Sequence, residues 1–515
     1  MRSSDGETVN SIQLYKKGEI MNFVEMMTEK DSFTYNGAVT NSTSHNHCVN
    51  LFFLAGACRN ESVENIEKAL TKSYVEDRLK TLKIIFWAGD IRQGAGERRF
   101  FKLALNWLSK NYPNDIQNNL QLIPEFSRWD VIFELAMENQ VLFSYILTTL
   151  SNPQSKGYGL LCKWLPRKVK ATDKKKTFEQ DGDCCSVTIS KRKRVLYGGI
   201  AGKLMAALKL TPKQYRKLLV EGSKTVEQKM CAKKWNEIEY SHVPSVAMNK
   251  YNKAWYRNDK ERFEKYLEDV KSGKSKINAS AIFPHDIISN ALDISAWSMT
   301  LKGLNEAQIA QWNALPNWLG DTINSMIPVC DTSGSMYGLP IKICLALGLY
   351  ISERNQGAFK DAFITFSENP KMQFLKGDIN QRLSQLAHAD WGGSTNLIGV
   401  FQLILQRAIA ENLSPEMMPK TILIISDMEF NDCGSLTNYE TIKKAYETAG
   451  YQCPQIAFWN VNGRVGNVPV TVNEQGVALI SGASPSIMKA VLTNQLSPVK
   501  IMDAIIETER YSQIK

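Results

Sequence analysis

Ser325-Met-Ile-Pro-Val-Cys-Asp-Thr-Ser-Gly-Ser-Met336 decides the fold, because an apolar run stops there at an acid followed by spaced hydroxyls. Met326 to Cys330 has the unbroken apolar character of a parallel strand covered on both faces, and Pro340 to Glu353 has helical spacing. Together they predict a strand–loop–helix unit whose loop lies at the carboxyl end of the strand, where open α/β sheets bind ligands. Asp331, Ser333 and Ser335 form D-x-S-x-S, an alternation that turns one carboxylate and two hydroxyls toward one point. Mg²⁺ takes near-octahedral oxygen ligands at about 2.0–2.1 Å and keeps several waters, so this sparse hard-oxygen set suits it better than a dense carboxylate cage. The same composition also serves as an ordinary turn and helix cap.

Two later stretches bear on that choice. Thr421-Ile-Leu-Ile-Ile-Ser-Asp427 is a second apolar strand ending on an acid, and Trp391-Gly-Gly-Ser-Thr-Asn396 is a Gly-rich loop before the helical run Leu397 to Ala410. The ordered set resembles the metal-ion-dependent adhesion site (MIDAS) of von Willebrand factor type A domains. The resemblance implies that Asp331, Ser333 and Ser335 are first-loop metal ligands, Thr395 the second-loop ligand and Asp427 the third-loop acid. It implies Mg²⁺, or another divalent cation such as Mn²⁺, as cofactor. Asn396 stands where relatives often carry Asp, which lowers the charge around the ligands.

Around this unit, strands near Ile327, Ala362 to Phe366, Gln373, Ile422 to Ser426, Ile456 to Val461 and Val477 to Ser481 alternate with helices. That pattern predicts a doubly wound, Rossmann-like α/β domain over 321–515. Upstream the periodicity changes. From Asn46 to Leu150 the apolar spacing is helical, punctuated by Gly89, Gly94, Gly96, Pro113 and Pro124, and predicts an all-α, HEAT-like helical-repeat module over 31–320 without a clean sequence period. Residues 1–30 read as a lead-in in which Met21 to Met27 docks as a short helix. Residues 151–195 read as a basic loop or insertion.

Asp90-Ile-Arg-Gln-Gly-Ala-Gly-Glu-Arg-Arg99 has glycines but no G-K-[ST] ending and no preceding strand, so it reads as the end of one helix and the start of the next, with Glu97 at the new N-terminus. The helix after Pro244 carries Tyr251, Trp255 and Tyr256 among lysines, which reads as an aromatic core stripe with solvated cations, or as a stacking surface for a nucleic-acid strand. The five histidines form no metal or nucleophile spacing, and His285-Asp286 reads as a helix start after Phe283-Pro284.

The 515 residues exceed what one core serves, since domains run to roughly 50–250 residues. With 43% hydrophobic and 22% charged residues the chain is globular, which excludes fibrous and disordered classes. The ten cysteines include no C-x-x-C pair, and Cys330, Cys344 and Cys453 sit in apolar settings, which implies reduced thiols and a cytoplasmic location. No apolar run approaches the ~20 residues of a membrane span, and Met1-Arg-Ser-Ser-Asp5 does not open a signal peptide.

The formal charge of +10 gathers between Lys163 and Lys234, including Lys174-Lys-Lys176 and Lys191-Arg-Lys-Arg194. Such asymmetry predicts an acidic partner, nucleic acid before membrane. Candidate phosphate contacts are Arg92, Arg98, Arg99, Lys191, Arg192, Lys193, Arg194, Lys250 and Lys253.

The whole ordering resembles the Ro ribonucleoprotein autoantigen family, in which a helical TROVE module precedes a von Willebrand type A domain, and more closely an uncharacterised Ro-like family of that architecture. The likeness rests on Asp90 to Arg98, Arg262-Phe-Glu-Lys-Tyr-Leu-Glu-Asp-Val-Lys-Ser-Gly-Lys274, Pro284-His-Asp286, Phe363 to Pro370, Ser426-Asp-Met-Glu-Phe430 and Phe458-Trp-Asn460. It implies binding of small non-coding or misfolded RNA in RNA quality control, though no RNA-contacting residue of the family maps onto a motif here. The expected protein is therefore a monomeric, non-catalytic ribonucleoprotein component that binds RNA, with a metal site for a protein ligand's carboxylate or for domain closure. An adaptor that uses the metal site alone is the alternative. A metal-dependent nuclease ranks behind both, because it needs clustered carboxylates around two ions about 3.5–4 Å apart, and the motifs offer Asp331 and Asp427 but no assured set for a second ion.

Overall fold

The structure is a computed structural model that describes residues 15–16, 19–20, 32–167, 199–289, 291–295, 298–320, 326–389, 395–431, 437–471, 474–492 and 496–515. Among the described residues three short antiparallel pairs stand outside the main sheet. They are β1 (Tyr15–Lys16) with β2 (Glu19–Ile20), β3 (Ser32–Phe33) with β4 (Val39–Thr40), and β5 (Leu292–Ser295) with β6 (Ser298–Leu301). The helices between the second and third pairs include His47–Ala55, Val63–Glu76, Arg78–Gly89, Arg98–Asn111 and Gln140–Ser151, most of them started by a side-chain cap. Ser62 accepts from Asn65 N, Asp77 from Lys80 N, and Asn139 from Val141 N and Leu142 N.

The main sheet is built from β7 (Met326–Asp331), β8 (Ala362–Phe366), β9 (Met372–Phe374), β10 (Thr421–Ser426), β11 (Gln455–Asn460) and β12 (Val477–Ser481), in the order β12-β11-β10-β7-β8-β9. All pairs are parallel except β8 with β9, which closes one edge antiparallel. Every residue of β7, β8, β10 and β12 is buried, as strands covered by helices on both faces require. Gly348 lets the helix Leu339–Arg354 lie directly on β7, since a Cβ there would stand 2.3 Å from Cys330 Sγ. The chain runs outward from β7 to β8 and β9, then returns to β10 on the other side of β7. The carboxyl ends of β7 and β10 thus flank the point where the strand order reverses, the place where such sheets open a crevice.

One continuous cluster of buried residues joins the first helices to the sheet. Phe52 and Trp87 meet with ring centroids 4.4 Å apart, and Ser481 Oγ at the end of β12 donates to Phe52 O (2.8 Å) while accepting from Gly56 N (3.0 Å). The C-terminal helix Pro498–Ile506 and the tail beyond it lie along Arg78–Gly89. Lys80 pairs with Asp503 at 2.9 Å, Lys83 pairs with Glu507, and fully buried Asp90 holds both Arg510 and Tyr511. At the other end of the helical part, Pro284–Ile288 and Glu306–Asn313 reach the helix Leu339–Arg354. There Trp312 Nε1 donates to Glu353 (2.7 Å) and Arg354 donates back to Trp312 O (2.9 Å). Both ends of the helical part therefore rest on the α/β part. A separate small core forms around Tyr240, Trp255 and Phe263.

Some expectations meet a different local structure. Tyr158–Trp164, inside the stretch read as loop, is a helix that buries Leu161 and Cys162, and Gly157 starts it at φ 84°. Residues 168–198 and the expected short helix Met21 to Met27 lie outside the described residues. The β3–β4 and β5–β6 pairs were not expected in a helical region. Among the described residues no helix is long and apolar enough to cross a membrane, and Cys48, Cys58, Cys162, Cys231, Cys330, Cys344 and Cys453 are free thiols.

Candidate cation site

The first loop leaves β7 at Asp331, which is fully buried. Its Oδ1 accepts from Ser333 N (2.9 Å), and its Oδ2 accepts from Ser426 Oγ (2.5 Å), the last residue of β10. The register of β7 with β10 sets that bond, because Ile425 pairs with Cys330 and so places Ser426 beside Asp331. Ser333 Oγ and Ser335 Oγ lie 3.1 Å apart, so the two hydroxyls of the motif do converge. The third loop begins with Asp427, 1% exposed, whose Oδ1 accepts a long bond from Glu429 N (3.4 Å) and whose Oδ2 is buried without a partner among the described residues.

The charge of Asp331 acts on the buried carboxyl of Asp427. Burial, then the charge of Asp331, and beyond these the charge of Glu429, push the Asp427 carboxyl up to about 7, against the nearby Ser335 hydroxyl, which favours the charged form. Burial also pushes Asp331 up, opposed by its bonds from Ser426 and Ser333. Two like charges in one buried pocket with an orphaned oxygen lack a cation or a proton. Asp331, Ser333, Ser335 and Asp427 therefore fit a divalent ion in their chemistry: hard oxygens, two of them on carboxyl groups that an ion would hold as anions. Among the described residues no group of three or more His, Cys, Asp or Glu side chains is set to hold a metal, so any ion here depends on hydroxyls.

Met428 follows Asp427 in the left-handed region at φ 67°, a strained conformation for a residue with a long side chain. It is held by bonds from Met428 N to Ser426 Oγ (3.0 Å) and from Asn467 to Met428 O (3.0 Å). Strain of this kind, about 1–3 kcal/mol, persists only where the surroundings over-determine it.

Thr395 is not brought to this cluster by any of its described bonds. Its Oγ1 lies 2.7 Å from Glu429 O and 3.0 Å from Asn431 Oδ1, and it accepts from Asn36 Nδ2 at 3.2 Å. Asn36 belongs to the turn between β3 and β4, a hairpin seated on the third loop. Thr34 Oγ1 donates to Phe430 O (2.6 Å), Asn36 Nδ2 to Glu429 O (2.7 Å), and Tyr35 N to the Glu429 carboxylate. Isolated bridges from Gly37 to Asn431 and from Asn41 to Val468 complete the seat. Sequence reasoning missed this hairpin. Its local signal is only Tyr-Asn-Gly at 35–37, and its partners are some 390 residues away.

The basic candidates differ among themselves. Arg98 is paired with Asp130, and Arg99 donates to Cys58 O (3.0 Å) and Glu61 O (2.7 Å), so both hold helices together. Arg92 is exposed and donates to Glu125 O, while Glu97 caps the helix Arg98–Asn111. Lys250 and Lys253 are exposed on the helix Ser245–Asn258, whose Trp255 is fully buried and whose Tyr251 and Tyr256 are half-buried against the small core. Lys191, Arg192, Lys193 and Arg194 lie outside the described residues. His285 is buried within the helix Pro284–Ile288, and Asp286 accepts from Phe283 N (3.2 Å) at its start.

Comparison with known proteins adds the family. Residues 34–146 and 144–322 match the family described as Domain of unknown function (DUF2828), and residues 325–512 match that described as Domain of unknown function (DUF7788). An uncharacterised protein of Acanthamoeba polyphaga mimivirus is 27% identical over an alignment of 515 positions that covers 92% of this chain and 87% of that protein. The crystal structure of the Deinococcus radiodurans RO (RSR) protein aligns with a TM-score of 0.37 at 13% identity, over 90% of this chain and 99% of that one. Because the first match spans more than half of the sequence, the chain belongs to the DUF2828 family.

Proposed function

We propose that the chain is a non-catalytic, RNA-binding ribonucleoprotein component, in which a TROVE-like helical module is joined to a von Willebrand factor type A-like domain that takes Mg²⁺ or Mn²⁺. The observation that carries the cation part is Asp427, a buried carboxylate with an unpartnered oxygen in the field of a second buried carboxylate. Asp331, Ser333, Ser335 and Asp427 would hold the ion, and the ion would neutralise both acids while leaving positions for water or for a protein ligand's carboxylate. Thr395 would join only by leaving Glu429 O and Asn431. Glu429, the next acid of the third loop, turns its carboxylate to Tyr35 N and Arg464, which supports a binding site rather than two-metal hydrolysis.

The RNA part rests on the basic excess of the helical half, on the exposed Arg92, Lys250 and Lys253, and on the Ro-like ordering of the sequence. Buried free thiols support a cytoplasmic, reducing setting. A monomer is the proposed state. The adaptor reading draws support from Arg98 and Arg99, whose guanidinium groups are already engaged within the fold. Filter retention of labelled RNA across a salt series separates the two. Each phosphate contact to a single strand contributes a slope of about −0.7 in log K against log salt, so neutralising Lys191 to Arg194 together with Lys250 and Lys253 should flatten the dependence and weaken different RNAs alike. If no RNA is retained at low salt, the adaptor reading replaces this one.

A further inference from the structure

Where the helical part meets the α/β part, a cavity of about 350 Å³ opens between the helices His47–Ala55 and Val63–Glu76 and the segment that follows β11. Its lining contains Lys68, Lys72 and Arg464 and no Asp or Glu. The contrast with the larger cavity of about 1010 Å³ beside Lys260–Lys271 is plain, since Glu264, Glu268 and Glu306 line that one. Lys68 and Lys72 stand four residues apart on one helix face, and Arg464 comes from the opposite wall, where it also lies 3.6 Å from the Glu429 carboxylate, so two lysines lead and Arg464 adds charge from the other part of the chain. Lys68 pairs with Glu64 at 2.7 Å, but both side chains are mostly exposed, and such a pair exchanges readily for a better anion. Among the described residues Lys72 has no partner.

The remainder of the lining is unlike a bare anion site. Phe53 and Leu54, 3% and 6% exposed, and Val468, 6% exposed, give it apolar walls, while Asn50 and Asn467, whose amides already bond Thr43, Ser44, Thr40 and Met428, keep one N–H and one lone pair apiece beside them. Apolar walls take the faces of a planar ring, amides read its polar edge, and a cationic mouth takes a phosphate. The volume is at the small end of the ~300–1,000 Å³ range of ligand clefts, which suits one nucleotide rather than a run of them.

We propose that this seam cavity binds a single nucleoside monophosphate, its phosphate held by Lys68, Lys72 and Arg464 and its base by the Phe53 and Val468 walls. The same chemistry is presented by a free nucleotide and by the phosphorylated terminal nucleotide of an RNA. The second source rests on the RNA-binding reading above, and the first does not.

The test is equilibrium dialysis of the full chain with labelled adenosine 5′-monophosphate, competed by inorganic phosphate, by adenosine and by a terminally phosphorylated oligoribonucleotide. The wild type should bind AMP, with phosphate and adenosine each competing at least tenfold less well. Lys68→Glu with Lys72→Glu, both on the exposed face of one helix, should weaken AMP at least tenfold with unchanged circular dichroism. No AMP binding tighter than about 1 mM, equal affinity in the double variant, or phosphate competing as well as AMP overturns the proposal. Competition by the oligoribonucleotide assigns the site to RNA ends. AMP binding without any RNA binding keeps the cavity and removes the RNA reading, and salt-sensitive RNA binding without AMP binding does the reverse.

Discussion

Asp427→Asn separates what the third loop does for the fold from what it does for an ion. In the wild type the buried Oδ2 has no partner, and the side chain sits in the field of Asp331. A carboxamide of the same shape removes one of two like charges and offers a donor where none exists. A buried acceptor left unsatisfied costs about 1–3 kcal/mol, and more when charged, so without divalent ions the variant should be more stable than the wild type by about that amount at pH near 8. The sign follows from the raised carboxyl. Its protonated form is favoured in the fold, so that contribution is complete below the ordinary value near 4 and is lost as pH rises through about 7. Wild type in chelator should thus lose stability toward alkaline pH, and the variant should not. Saturating Mg²⁺ reverses the ranking, because an ion at about a thousand times its Kd adds ~4.1 kcal/mol to a fold that binds it. Urea unfolding followed by tryptophan fluorescence, in chelator and in Mg²⁺, reads both effects. A variant less stable than wild type in chelator, or an equal response of the two proteins to Mg²⁺, refutes the reasoning.

Three further outcomes are expected. Asn36→Ala removes two bonds that seat the β3–β4 hairpin, so amide exchange over residues 32–41 should quicken by an amount equivalent to about 1–2 kcal/mol, and unchanged protection there contradicts the seat. Asp90→Leu leaves Arg510 and Tyr511 without their buried acceptor and should cost about 3–5 kcal/mol in urea, much of it recovered when Arg510→Met is added; an additive double variant sinks the pairing. Burial pushes the His285 imidazole down, with Asp286 opposing and Arg59 assisting, so its contribution is complete above about pH 6.5 and falls away as pH drops through the lowered value. His285→Gln should flatten stability between roughly pH 7 and 5, and parallel wild-type and variant curves count against it.

The α/β part was legible because its signals are local. An unbroken apolar run followed by Asp-x-Ser-x-Ser, or by Ser-Asp, announces a covered strand and its loop, and all six expected strand positions lie in the sheet. The meeting of Ser426 with Asp331 could not be read, since it depends on the register of two strands 95 residues apart. The hold of Asn36 on Thr395 is less legible still, because a single Asn in a turn carries no mark of its partner. The same holds for Asp90, read as part of a helix junction, whose partners Arg510 and Tyr511 lie at the far end of the chain. Tyr158–Trp164 was hidden by Gly157 before it and Gly159 within it, although Leu161 and Cys162 give it a buried face. Charge counting singled out Arg98 and Arg99, but composition does not distinguish a solvated guanidinium from one that ties a helix to carbonyl oxygens.

The central claim is that the carboxyl edge of β7 and β10 holds one divalent cation, and calorimetric titration of the full chain with Mg²⁺ tests it most directly. Asp331 sits at the centre of the set, so the account predicts saturable binding of one ion per chain in the wild type and its loss in Asp331→Ala, with RNA affinity kept within about threefold if the two sites are independent. Unchanged Mg²⁺ binding in Asp331→Ala, or none in the wild type, contradicts it.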